Sequence, residues 1–160
     1  MLAPALTLSP QEAPQGKVRI FVASAATRDF QGVRQRESDL AETAKDVRKS
    51  LRKSRWIEVT DDVEGADVIV RILGRRKSPD EVLALGYSLE AGDFKTEDEF
   101  VYSEQAALGT RGRTTSIDKP GGFEETLRPT RWSDVARRFG ASLEIFAESN
   151  YELILKRRKR

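Results

Sequence analysis

Hydrophobic periodicity changes twice within the first half of this chain, and that constrains the fold more than any other feature. In KVRIFVASA, Val18, Ile20 and Val22 alternate with Arg19, Phe21 and Ala23, the two-residue period of a strand. Apolar groups on both faces beyond Arg19 predict a central or nearly central strand. In SDLAETAKDVRKSLRKS, Leu40, Ala44, Val47 and Leu51 recur at helical spacing and form one buried stripe. Asp39 followed by Glu42 fits a capping box, with Ser38 as the competing N-cap. Period two returns in DVIVRILG, where Val68, Val70 and Ile72 alternate with Ile69, Arg71 and Leu73. This order makes the first and last of these segments natural parallel neighbours through the helix, with a short strand at Trp56, Ile57 and Val59 between them in sequence.

The second half carries shorter signals. RRKSPDE reads as a turn, VLALGYSL as a fourth strand and EFVYSEQAAL as a fifth, joined by EAGDFKTED. The joins are too short for helical crossovers, so these strands are antiparallel. Residues 109–129 have no sustained period beyond a short strand around Thr114 to Ile117. TRWSDVARRFGASLEIFAESN is a second helix, with Thr130 as N-cap and Trp132, Val135, Ala136, Phe139, Leu143 and Phe146 on one face. Gly140 costs that helix about 1 kcal/mol relative to alanine, which implies a close neighbour. YELILKRRKR continues this helix or restarts after Asn150. The sum is a two-layer α/β (α+β) domain over residues 17–155: a mixed, mainly antiparallel sheet of about five strands with two main helices on one face.

The order of elements resembles that of the small N-terminal domains of periplasmic envelope proteins related to TolB. Topology carries the resemblance, without a shared motif, and it implies an envelope setting and a macromolecular partner. Residues 1–16, MLAPALTLSPQEAPQG, read as a disordered leader. An apolar start with no basic residue before Lys17 fits either the end of a signal peptide, giving a periplasmic or secreted protein, or a plain leader on a cytoplasmic one. No stretch is apolar for the 18 or so residues that a membrane-spanning helix needs.

Composition narrows the chemistry. The chain has no cysteine and no histidine, so disulfides, thiolate nucleophiles, histidine bases and the usual zinc sites are excluded. What remains is chemistry of carboxylates, hydroxyls, lysine and arginine, or a cation held by oxygen ligands. Asp61, Asp62 and Asp67 cluster around one turn, and Asp93, Glu97, Asp98 and Glu99 around another, but both clusters are local and turn-like. No cofactor and no catalytic residue is assigned, and a metal-dependent hydrolase would require carboxylates converging from separate elements.

Charge directs attention to three basic features. The net charge of +2 rests on the tail, since without residues 156–160 the chain has 23 basic and 26 acidic residues. Lys45, Arg48, Lys49 and Arg52 lie opposite the buried stripe of the first helix, followed by Lys53 and Arg55. Arg71, Arg75, Arg76 and Lys77 extend that face if folding brings them together. Arg111 and Arg113 flank Gly112 in GTRGRTT, where both can reach one anion. Lys156, Arg157, Arg158, Lys159 and Arg160 close the chain. The expected function is a non-enzymatic module that recognises a protein partner, through the sheet edge, the 25–37 loop or the Arg111–Arg113 loop. The alternative is a nucleic-acid-binding accessory protein that uses these cations on phosphates. Tyr87 and Tyr102 are expected as a cross-strand pair, and Trp56 as a cap on the sheet beside the first helix.

Overall fold

A computed structural model describes residues 16–26, 28–79, 82–102 and 131–158. The short strand expected at 114–117, the cap Thr130 and most of the leader lie outside them. Two elements open the chain as anticipated: strand β1 (Val18–Ser24) and, after a connection, helix α1 (Glu37–Leu51). The connection itself contains a hairpin, β2 (Asp29–Phe30) and β3 (Val33–Arg34). Its two turn residues, Gln31 and Gly32, have φ of 52° and 79°, the left-handed pair that matches strand twist. Then follow β4 (Ile57–Val59), β5 (Val68–Lys77), β6 (Leu83–Ala91) and β7 (Phe94–Tyr102). Helix α2 (Trp132–Ser149) and a distinct helix α3 (Tyr151–Arg158) complete the described chain.

The sheet is mixed, in the order β4-β1-β5-β6-β7. β1 is an interior strand, one in from the edge, and pairs in parallel with β4 on one side and with the central strand β5 on the other. The long ladders, β5 with β6 and β6 with β7, are antiparallel. One face carries Val18, Ile20, Val22, Val68, Val70, Ile72, Leu85 and Leu89, all buried against Leu40, Val47 and Leu51 of α1 and Val135, Phe139 and Leu143 of α2. Each such fully buried side chain contributes roughly 1.5–3 kcal/mol of transfer free energy. The two helices touch at Gly140, where a Cβ would meet the Ser50 side chain. That contact is the close neighbour the glycine implied.

Several expectations are corrected. β5 runs on through Arg75, Arg76 and Lys77 instead of turning there, because a bulge at Leu73 lets the strand keep its pairing with β6. The β6–β7 join is the two-residue turn Gly92–Asp93, with Gly92 at φ 65°, so the strand begins at Phe94 and EAGDFKTED is largely strand. Its charges suit an edge strand, which needs polar side chains to stay unpaired in water. α1 has no side-chain cap. Its N-cap is Arg36, and Asp39 and Glu42 turn instead to Arg75, a charge-assisted contact that outcompetes a cap. At α2, Arg131 is the N-cap and its N–H donates to Asp134 at 3.2 Å. Tyr87 lies opposite Asp98 and Tyr102 opposite Leu83, so the tyrosines do not pair; Tyr87 contacts Phe139 instead. Trp56 packs against the core and stacks edge-on against Tyr151 of α3, 5.3 Å between centroids, a contact the sequence does not show.

Among the described residues, no helix covers the other face of the sheet. There Gly74 and Gly86 sit opposite each other in the β5–β6 ladder, and the Phe30 ring from the hairpin lies over both. A Cβ at either position would collide with that ring. Gln35 fixes the hairpin base: its amide donates to the Arg75 carbonyl at 3.0 Å and accepts from the Arg75 N–H at 2.8 Å. Gly74→Ala and Gly86→Ala should each cost about 1–3 kcal/mol through overpacking. Adding Phe30→Ala to either should recover much of that loss. Urea denaturation of the double-mutant cycle checks this, and strictly additive losses would show that the ring does not depend on the glycines.

Candidate functional site

The open face has a solvent-open cleft of about 470 Å³, lined by Ala25, Ala26, Arg28, Arg71, Leu73, Ser88, Glu90, Lys95, Thr96 and Glu97. It lies where the chain leaves the carboxyl end of β1, a position at which α/β sheets often bind ligands. Ala25 extends the pairing by one bond, its N–H donating to the Ile72 carbonyl at 2.9 Å. The bulge turns Leu73 into the cleft. Register places the charges. Arg71, Ser88 and Glu97 form one row across β5, β6 and β7, while Ile69, Glu90 and Lys95 form the next. Arg71 pairs with Glu90 at 3.4 Å. The lining is mixed in sign, with three cations and two carboxylates converging from a loop and three strands.

The expected basic helix face is only partly free. Lys45 and Lys49 are exposed beside a second cleft, of about 670 Å³, but Glu42 and Asp46 line it with them. Arg52 is exposed at the end of α1. Arg48 donates to the Val22 carbonyl at 2.9 Å, tying α1 to β1. The proposed extension does not form one surface. Arg71 lies in the open-face cleft, and Arg76 pairs with Glu99 by two bonds of 3.1 and 3.2 Å. Arg75 is 13% exposed, held by Asp39, Glu42 and Thr43 and lying 4.7 Å over the Trp132 ring. It joins the first turns of α1 and α2 to the sheet. Arg111 and Arg113 lie outside the described residues.

The basic tail divides in the same way. Arg157 donates to the Ala91 carbonyl at 2.7 Å, gripping the β6–β7 turn. Arg158 makes a two-bond contact with Asp67, Nε to Oδ1 at 3.1 Å, and also donates to the Lys17 carbonyl. The Asp67 carboxylate raises the Arg158 pKa further above its ordinary value. Asp67 is only 9% exposed and also accepts from the Arg19 N–H. Lys156 is exposed, and Lys159 and Arg160 lie outside the described residues. A chain ending at Leu155 would lose these bonds along with its charge. Arg158→Gln alone should cost about 1.5–3 kcal/mol, the scale of a charged hydrogen-bonded contact, and lower Tm by several degrees. Lys156→Gln should leave Tm unchanged. Differential scanning calorimetry of both variants decides the matter.

The turn carboxylates have local roles. Asp62 accepts from the Glu64 N–H at 3.1 Å, and Asp98 from the Glu99 N–H at 2.8 Å. Among the described residues no group of three or more carboxylates is placed to hold a metal ion. No described helix is long and apolar enough to cross a membrane. The sequence reading did not single out Ser88 or Glu90 as cleft residues, nor Phe30 or Gln35. Only the spacing of Gly74 and Gly86 about the turn at 78–82 hinted that one strand pair was flanked by something bulky. Comparison with protein-family models, with curated proteins and with solved structures finds no match.

One titration is set by the packing. Burial, and then the Asp98 carboxylate opposite, raise the Tyr87 pKa above the ordinary 10.0. The folded chain therefore holds this proton more tightly than the unfolded chain does. The contribution is complete below pH 10 and declines as pH rises through the folded value. Tyr87→Phe should flatten the loss of stability as pH rises above the ordinary tyrosine value of 10.0, measured from denaturation midpoints at successive pH values.

Proposed function

We propose that this domain is a non-enzymatic module that recognises a protein partner by adding a basic, extended segment of that partner to the edge of β7. The free edge itself carries the reading. β7 is nine residues long and, among the described residues, pairs on one side only, with β6. Its outer backbone groups are a template for another strand. The side chains supply selectivity. Phe94 and Val101, 51% and 57% exposed, stand near its two ends. Between them lie Lys95 and three acids, of which Glu99 is already neutralised by Arg76. A segment with lysine or arginine at its centre and apolar residues at its ends complements that pattern.

The exposed Lys45 and Lys49 supply the competing attraction for a phosphate backbone, and the test separates the two. The full chain, isotopically labelled, is titrated with a nine-residue peptide of alternating valine and lysine, with its valine–glutamate counterpart, and with a short DNA duplex. The lysine peptide should shift and protect the β7 amides, more strongly at low salt. Asp98→Lys combined with Val101→Lys should weaken it at least tenfold. Shifts confined to α1 on adding DNA, or a lysine peptide that leaves β7 untouched, would overturn the proposal.

A further inference from the structure

The open face of the sheet sets an arginine of β5 and a glutamate of β7 across small residues of β6 at two places, once on a diagonal and once along a single row. In the first, Arg76 and Glu99 reach across Ala84 and Gly86 and close, at 3.1 and 3.2 Å. In the second, Arg71 and Glu97 occupy the two ends of a row with Ser88 as its floor, and they do not meet. Arg71 leans to Glu90 instead, and Glu97 has no ion-pair partner among the described residues. Two strand spacings separate the ends of such a row, about 9–10 Å. The interval is the cleft of about 470 Å³, within the range of small-molecule sites.

We propose that this cleft binds a small zwitterion of the α-amino-acid class, which completes the open ion pair. Its carboxylate is received by Arg71, with Arg28 above it on the loop, and its ammonium by Glu97. The Ser88 hydroxyl offers a hydrogen bond at the floor, and the ligand side chain rests on Leu73 and Ala25. The mixed lining selects this class. A phosphate dianion would face the carboxylates of Glu90 and Glu97, and a simple cation would face Arg28, Arg71 and Lys95. A ligand with both charges gives Glu97 a cationic partner and gives Arg71 a second anion beside Glu90. The bulge that presents Leu73 is the kind of irregularity sheets place beside binding sites. The site lies on the sheet face rather than at the outer backbone of β7, but it shares Lys95 and Glu97 with the proposed strand-addition surface, so its titration is run without peptide.

The test is titration of the labelled full chain at fixed ionic strength with L-leucine, acetate, ethylammonium and inorganic phosphate. L-Leucine should produce saturable shifts at the Ser88, Arg71 and Ala25 amides. Acetate and ethylammonium, each half of the ligand, should bind at least tenfold more weakly. Arg71→Gln and Glu97→Gln should each raise the Kd tenfold or more. Arg76→Gln, in the closed diagonal pair, should leave it unchanged, and Ser88→Leu should abolish binding with the rest of the spectrum intact. Absence of saturation by L-leucine in the millimolar range, or phosphate binding as tightly as L-leucine and indifferent to Glu97→Gln, would overturn the assignment.

Discussion

A sheet can be closed by helices on one face and left to water on the other only if the uncovered face is made polar or is plugged locally. That constraint organises this domain. α1 and α2 seal one face with a continuous apolar core, and their closeness depends on Gly140 lying against Ser50. Among the described residues, the opposite face has no such cover. It is made compatible with solvent by ion pairs laid across the strands, Arg71 with Glu90 and Arg76 with Glu99, and by one aromatic ring over two glycines. The cleft exists because these devices do not cover the whole face. Phe30 fills the space over Gly74 and Gly86, and the next row, built on Ser88, stays open.

Positive charge in this chain is largely a structural material. Arg75 is the clearest case, surrounded by two carboxylates, a hydroxyl and an indole at the junction of both helices with the sheet. Arg48 and Arg157 donate to strand and turn carbonyls, and Arg158 to a nearly buried carboxylate. Guanidinium suits such work because it donates several bonds in fixed directions and keeps its charge when partly buried. Lysines, with a single mobile ammonium, remain on the surface at Lys45, Lys49 and Lys156. A count of basic residues therefore overstates the positive charge that a polyanion would meet.

The legible parts of the fold were those decided by periodicity. The alternation at Val18–Val22, the stripe from Leu40 to Leu51 and the buried face of α2 each depend on a residue and its near neighbours, which a sequence displays. The parallel pairing of β1 with β5 followed from their order. The β2–β3 hairpin was read as loop because two-residue strands have no period, and Phe30 is held by glycines more than forty positions away. The β6–β7 turn was misplaced because Gly92–Asp93 sits among other polar residues that an edge strand also carries. The cap of α1 was misassigned because Arg75, which takes Asp39 and Glu42, is distant in sequence. The cleft was invisible for the same reason. Arg71, Ser88 and Glu97 become a row only once two register choices have been made.

The bonds around Lys17 and Asp67 place the last turn of α3 beside the first residues of the sheet. Tyr151 adds to this, its hydroxyl donating to the Gly16 carbonyl at 2.6 Å across 135 positions. A ribosome delivers these partners far apart in time. β1 is made first, yet its leading end gains its cover only when the final helix has emerged. Until then the nascent chain exposes Trp56 and the start of β1, a stretch with the apolar character that chaperones hold. The same adjacency means that a short linker between Lys17 and Arg158 could carry the chain directly from α3 into β1, with a break opened in another connection, as circular permutation requires. The order in which this fold is synthesised and the order in which it closes are thus separable.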